Sequence, residues 1–274
     1  MKATLRWLTS VSCALLFLAP VLWLLVVSFR PSRAIFSADL GELLTLHGWT
    51  LSNYSNAIRR AGLGRALLNS VLQVCAIGVG GLFVNSMAAF AFARLRFRGR
   101  ELLFSGLVAL IILPVEVLAV PLFLSARDLG LVGRDVSVFW GLSLPFLAKA
   151  FNIYFLRQHF LSWPTELEEA AVLDGASAWR QYWSLLLPAS RAALATVVLL
   201  DVLVHWSDFL WPLLLATRDD TRTVQIGLAN LFTEPPIDWG AILACAVLAT
   251  LPVLVGFRVF QRHAVVTDAR VGIR

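Results

Sequence analysis

Asp201, His205 and Asp208 stand at i, i+4 and i+7, so a helix through them carries two carboxylates and an imidazole on one face. Side chains of these types hold protons or small cations, line a polar passage, or hydrogen-bond to neighbouring helices. All three lie inside a strongly apolar stretch, and Glu116 and Lys149 each interrupt another. An isolated ionised side chain at mid-bilayer costs about 2.5 to 3.5 kcal/mol on insertion scales, so these groups are expected to face protein or water. Two placements of the Asp201 face stay open: a subunit interface or solute pathway, and hydrogen bonding to neighbouring spans. Pro114 and Pro121 bracket Glu116 and are placed to kink the helix that carries it.

Hydrolytic and nucleotide chemistry find no support. A Walker A loop needs a lysine after its glycines, and the only lysines are Lys2 and Lys149, neither in a Gly-rich setting. The chain is therefore not expected to hydrolyse ATP or to be an enzyme. His47, His159, His205 and His263 are scattered, and no Gly-x-Ser-x-Gly or His-Glu-x-x-His occurs. Cys13, Cys75 and Cys245 are odd in number and fall in apolar runs, which suggests neither disulfides nor a metal site. No cofactor is implied.

A second group of residues is built for docking. Thr165 and Glu168 form a Thr-x-x-Glu capping box, which predicts a short helix with Glu166, Glu168 and Glu169 near the positive end of its dipole. Asp174-Gly175 is its expected stop, since Gly enters the left-handed region without strain. A second helix then starts near Ser177, carries Trp179, Tyr182, Trp183, Leu186 and Leu187, and meets Pro188. Leu167, Ala170, Ala171 and Asp174 recur at helical spacing and give a small-residue face flanked by acids. Such a face suits close approach by a partner or a position along lipid headgroups, and physics alone does not separate the two.

The elements that position these groups follow from composition. Hydrophobic residues make up 59% of the 274 and charged residues 15%, which places the chain in the membrane class. Runs of about 20 apolar residues predict six spans, near 7–29, 66–93, 102–126, 136–157, 189–217 and 239–260, in one domain over 1–274. The first run continues past an ordinary signal-peptide core and reads as a retained span. The cluster Arg94, Arg96, Arg98 and Arg100, with Arg157, Arg180, Arg191, Arg258 and Arg262, predicts both termini inside and residues 162–188 in the cytoplasm. The net charge of +6 is explained by basic residues next to anionic lipid and requires no nucleic acid. Between the first two spans, Leu51 to Ala61 predicts an amphipathic helix with Tyr54, Ala57, Ile58 and Ala61 on one face, placed to lie on the bilayer. Residues 218–238 form a connector and a candidate contact for an external protein.

Glu169-Ala170-Ala171, Gly175 and Leu187-Pro188 resemble the EAA loop of bacterial ABC importer permeases. The likeness runs on through Ser28-Phe29-Arg30-Pro31, Asn69-Ser70, the stretch from Ala88 to Gly99, Trp206 to Leu213, and Gln261-Arg262. It is nearest to the carbohydrate-uptake branch, similar to the smaller membrane subunit of maltose-type importers. Two departures stand out: Ser207 where Asn is usual, and Thr267 to Gly272 where a glycine-rich ending is common.

The resemblance implies an all-α, six-span transmembrane domain with a cytoplasmic helix-turn-helix coupling loop, seated in the bacterial inner membrane. It implies a second, paralogous permease, a cytoplasmic ATPase dimer and an extracytoplasmic solute-binding protein as partners. Glu169, Ala170, Ala171, Asp174, Gly175 and Pro188 would carry ATPase coupling, and Glu116, Asp201, His205 and Asp208 are candidates for the pathway or subunit interface. Sugars are the leading solutes, with glycerol phosphate or another polyol derivative as the alternative. An ion-coupled secondary carrier, using the buried acids as proton or sodium sites, is the competing class.

Overall fold

A computed structural model describes residues 2–36, 48–133 and 135–264. Every regular element among them is helical. In chain order they are α1 (Lys2–Ser28), α2 (Ser52–Arg60), α3 (Leu63–Arg94), α4 (Arg100–Ala109), α5 (Val115–Asp128), α6 (Asp135–Ser143), α7 (Ala150–Leu161) and α8 (Thr165–Leu173). Then come α9 (Ala178–Gln181), continued by a π-helical turn over Tyr182–Leu186, and α10 (Arg191–Trp206), α11 (Leu210–Leu215), α12 (Val224–Asn230) and α13 (Trp239–Ala264). The atypical tail, Thr267 to Gly272, lies outside the described residues, as does His47.

Arg6–Ser28, Leu63–Arg94 and Trp239–Arg258 are each long and apolar enough to cross a membrane, and three bent pairs raise the number to six if each pair is one span. The apolar runs are therefore less continuous than hydropathy suggests. Between α4 and α5 the chain bends by 106°. Leu113 is extended there, at ψ 120, because the ring of Pro114 disfavours a helical residue before it. Between α6 and α7 the bend is 44°, through a 3-10 turn that contains Pro145 and an extended Lys149. The run 189–217 is also divided: α10 ends at Trp206, and Ser207 to Phe209 separate it from α11.

The helices gather into two compact units, one from Met1–Leu68 and Arg222–Pro252, the other from Asn69–Thr221 and Val253–Arg274. In the first unit, Asn53 Nδ2 donates to the carbonyls of Ser28 (2.8 Å) and Arg30 (2.6 Å), closing the open end of α1. Ser28 Oγ and Tyr54 Oη are 2.6 Å apart, and Phe29 stacks on Trp49. Asp238 caps α13 through the Ala241 N–H at 3.1 Å and accepts from Ser32 Oγ and from Asn56 Nδ2. Burial alone would push the Asp238 carboxyl upward, but the Ser32, Ala241 and Asn56 hydrogen bonds and the Arg60 charge outweigh it and hold the group below its ordinary value.

The α2 helix divides the face expected of it between protein and surface. Asn53, Ala57 and Ala61 are buried while Ile58 is exposed. A Cβ on Gly240 would come within 2.5 Å of the Asn53 amide, so α13 approaches α2 at a distance that only glycine allows. Arg60 donates to the carbonyls of Glu234 and Pro236. Small residues and the Asn53 amide thus take the protein-side contacts, and Ile58 stays outward.

The second unit holds two apolar cores. Ala89, Phe90, Ile153, Leu156, Phe160, Tyr182, Leu186 and Val197 form one, and Ile77, Ala126, Val138, Leu142, Phe146, Trp211 and Leu215 the other. Backbone groups freed by the α6–α7 bend are answered by side chains: Trp211 Nε1 donates to the Gly141 carbonyl at 3.2 Å, and Asn85 Oδ1 accepts the Lys149 N–H at 2.8 Å.

Candidate functional site

Residues 162–188 fold as helix, corner and helix. The first helix opens on Pro164 as N-cap, with no side-chain cap, and Thr165 is already helical. The expected Thr165–Glu168 capping box therefore does not form, because proline supplies a fixed φ at the helix entry and Glu168 has a stronger partner. Its Oε1 lies 2.6 Å from Arg94 Nε. Burial pushes the Glu168 carboxyl above its usual range, and the Arg94 guanidinium opposes the rise. Glu166 and Glu169 remain exposed, so neighbouring acids near the start of the helix face different surroundings.

The corner is a Schellman motif. Gly175 has φ +75, its N–H donates to the Val172 carbonyl (2.9 Å), and the Ala176 N–H donates to the Ala171 carbonyl (2.8 Å). Ser177 then caps α9, accepting from the Arg180 N–H. Tyr182 anchors this second helix: it is buried, its Oη is 2.8 Å from Ser86 Oγ, and its ring packs on Phe90. The π-helical turn leads into Pro188, whose missing N–H removes a rung from the helical ladder.

What this leaves outward is a surface of small and acidic residues. Glu169, Ala170, Asp174, Gly175 and Pro188 are exposed, and Ala171 is half-buried. Leu173, 88% exposed, stands beside them with Val172. An open groove of about 500 Å³ runs along Thr165, Glu168, Glu169, Val172, Leu173 and Gln181, and a smaller one of about 200 Å³ lies by Ala171, Asp174, Ala176 and Arg180. Exposed apolar side chains framed by carboxylates suit a protein partner rather than a catalysed reaction.

The ionisable groups of the apolar runs separate. Asp201 is buried, with Lys149 Nζ at 2.6 Å from Oδ1 and Asn152 Nδ2 at 2.9 Å from Oδ2. His205 is buried against Phe146, ring centroids 4.6 Å apart, and neither ring nitrogen has a hydrogen-bond partner among the described residues. Asp208 is half-buried at the α10–α11 break, where it accepts from the Trp211 N–H. Glu116 is exposed on α5, close enough to Asp208 to act on it electrostatically, as Lys149 also does. Asp201 is thus satisfied by the neighbouring α7, whereas Asp208 and Glu116 keep open surface. Among the described residues, no group of three His, Cys, Asp or Glu is placed to hold a metal ion.

Three contributors had no signal of their own in the sequence. Asn85 shares its apolar run with Asn69 and Gln73, and Asn152 is a single amide in its own. Arg94 reads there as one charge of a basic cluster, yet its side chain is largely buried and joins three helices.

Comparison with known proteins gives a consistent picture. The family described as binding-protein-dependent transport system inner membrane component matches residues 81–265. The diacetylchitobiose uptake system permease protein of Streptomyces coelicolor is 34% identical, covering 94% of this chain and 86% of that protein. The arabinooligosaccharides transport system permease protein of Halalkalibacterium halodurans is 32% identical, over 94% and 93%. The sn-glycerol-3-phosphate transport system permease protein of Yersinia pestis is 31% identical, over 90% and 89%. Among solved structures, a bacterial ABC transporter involved in import of the acidic polysaccharide alginate superposes with a TM-score of 0.80 over 95% of each chain, at 22% identity, and shares the fold.

Proposed function

This chain belongs to the family of binding-protein-dependent transport system inner membrane components, and from that membership we propose that it forms, with a second and paralogous permease, the path by which a sugar or sugar derivative crosses the bacterial cytoplasmic membrane. An extracytoplasmic binding protein delivers the solute. A cytoplasmic ATPase dimer hydrolyses ATP and docks on residues 162–188; with six spans, both chain termini then lie on the cytoplasmic side.

The observation that carries this reading is the two-sidedness of that segment. Glu169, Ala170, Asp174 and Gly175 are exposed on one side, while Tyr182 and Glu168 fasten the other to α3. Closure of the ATPases displaces α8, and α3 and α7 follow as one body, which biases the pathway between outward and inward access. Glu116 and Asp208 sit at the α4–α5 and α10–α11 breaks, where backbone and acid groups can meet solute hydroxyls.

The solute class is supported by the relatives named for diacetylchitobiose and arabinooligosaccharides. The relative named for sn-glycerol-3-phosphate supports a second reading, a polyol phosphate. Glu116, Asp201 and Asp208 outnumber Lys149 around the breaks, and an excess of carboxylates repels a phosphate but not a neutral sugar. Uptake into proteoliposomes holding both permeases, the ATPases and the binding protein tests the proposal. ATP-driven entry of a neutral oligosaccharide is the expected result. Entry driven by an ion gradient without the ATPases overturns the importer reading, and entry of glycerol phosphate alone overturns the sugar reading.

A further inference from the structure

We propose that Arg94 is the positioning residue that makes the coupling loop and the membrane helices move together, a role that rests on the permease reading and assigns its mechanical link to one side chain. Arg94 is the last residue of α3. Its Nη2 donates to the carbonyls of Phe160 (2.8 Å) and Trp163 (3.1 Å), the open end of α7, while its Nε lies 2.6 Å from Glu168 Oε1 in the first turn of α8. One guanidinium at the end of α3 therefore caps the open end of α7 and pairs with the first turn of α8.

Lysine has the charge but not the geometry, since a point ammonium lacks the planar fork that reaches two carbonyls and a carboxylate at once. The pair is also placed to resist screening: side-chain exposure is 11% for Arg94 and 18% for Glu168.

The rest of α3 shows why this contact transmits force. Ser86, Phe90 and Arg94 stand at i, i+4 and i+8 on one stripe of the helix. Ser86 and Phe90 hold Tyr182 of the second loop helix, and Arg94 holds Glu168 of the first. Both arms of the loop are thereby fastened to a single helix, on either side of the Gly175 corner. Remove the Arg94 contact and the first arm, α8, loses its ion pair to α3, leaving its covalent links at Trp163 and Pro164 and at the corner. A push on α8 then swings the arm rather than α3 and α7. Glu169, one residue on, is exposed and free to meet the partner, so neighbouring carboxylates divide the work of receiving the push and passing it inward.

The test uses the complete transporter in proteoliposomes, reading solute imported and ATP hydrolysed in the same sample for wild type, Glu168→Gln and Arg94→Lys. The ratio of solute imported to ATP hydrolysed is expected to fall about tenfold in E168Q, within the range over which a coupling between two sites shifts a two-state equilibrium. R94K is expected to fall between E168Q and wild type. Wild-type complex that imports nothing with ATP marks failure of the permease reading itself. With wild type active, an unchanged ratio, a proportional loss of both activities, or loss of E168Q from the purified complex overturns the proposal.

Discussion

Lys149 Nζ lies 2.6 Å from Asp201 Oδ1, tying the extended residue at the α6–α7 break to the middle of α10. The two charges belong to different apolar runs and neither tolerates hydrocarbon alone. Removing Lys149 leaves Asp201 buried at 3% exposure, and single-partner losses of this kind are destabilising by about 3 to 5 kcal/mol, whereas replacing both by apolar residues of similar size is far milder. Lys149→Met is thus expected to lower the unfolding midpoint of the detergent-solubilised chain sharply, and the Lys149→Met, Asp201→Leu double variant to recover most of it. A double variant as unstable as K149M shows that the pair contributes no coupling.

Gly175 sets the second prediction. With φ +75 and open space where a Cβ would sit, the position is limited by backbone strain and not by crowding. A side chain in the left-handed region costs about 1 to 2 kcal/mol, least for Asn and most for β-branched residues. Gly175→Val is expected to lose ATP-driven uptake with the chain still folded, and Gly175→Asn to keep most of it. Equal uptake by both variants contradicts a conformational role for the corner.

Stability against acid reports on Asp238. Its folded value lies below the ordinary 3.8, so its contribution is fully present above that value and is lost as pH falls through the lower folded one. Asp238→Asn removes the titrating group. The unfolding midpoint of the variant is expected to change less than that of wild type between pH 4 and pH 2, a span of about two units around the ordinary carboxylate range. Parallel curves for the two proteins contradict the assignment.

Much of the architecture is legible in the sequence because its causes are local. Apolar runs bounded by arginines mark where helices lie, and Asp174-Gly175 marks the corner, since only backbone conformation is at stake there. The breaks are harder: Pro114 announces its own, but the extended Lys149 depends on Asn85 and Trp211 from distant helices. Thr165 and Glu168 follow a local capping rule, yet a long-range guanidinium takes the carboxylate. Ile58 likewise fits the apolar face of α2 by spacing alone, while the site is decided by Gly240 and Asn53. Residues whose partners are remote in sequence carry no signal in spacing.

Tyr182 separates two ways of holding the second arm of the loop. Its ring is buried among Phe90, Phe160 and Leu186, and its hydroxyl meets Ser86 at 2.8 Å. Deleting the hydroxyl alone, in Tyr182→Phe, removes a hydrogen bond worth about 1 kcal/mol and leaves the Ser86 hydroxyl donating to the Phe83 carbonyl. Deleting the ring, in Tyr182→Ala, opens a cavity in the core and is expected to destabilise the chain by about 3 to 5 kcal/mol. If packing holds the arm, Y182F imports solute nearly as wild type does and Y182A fails to assemble with the ATPases. If the hydroxyl sets the arm's angle, Y182F assembles normally but imports less solute per ATP, as loss of the Arg94 contact is expected to do on the other arm. The buried ring area favours the first outcome, and co-purification with paired uptake and hydrolysis measurements on Y182F distinguishes it from the second.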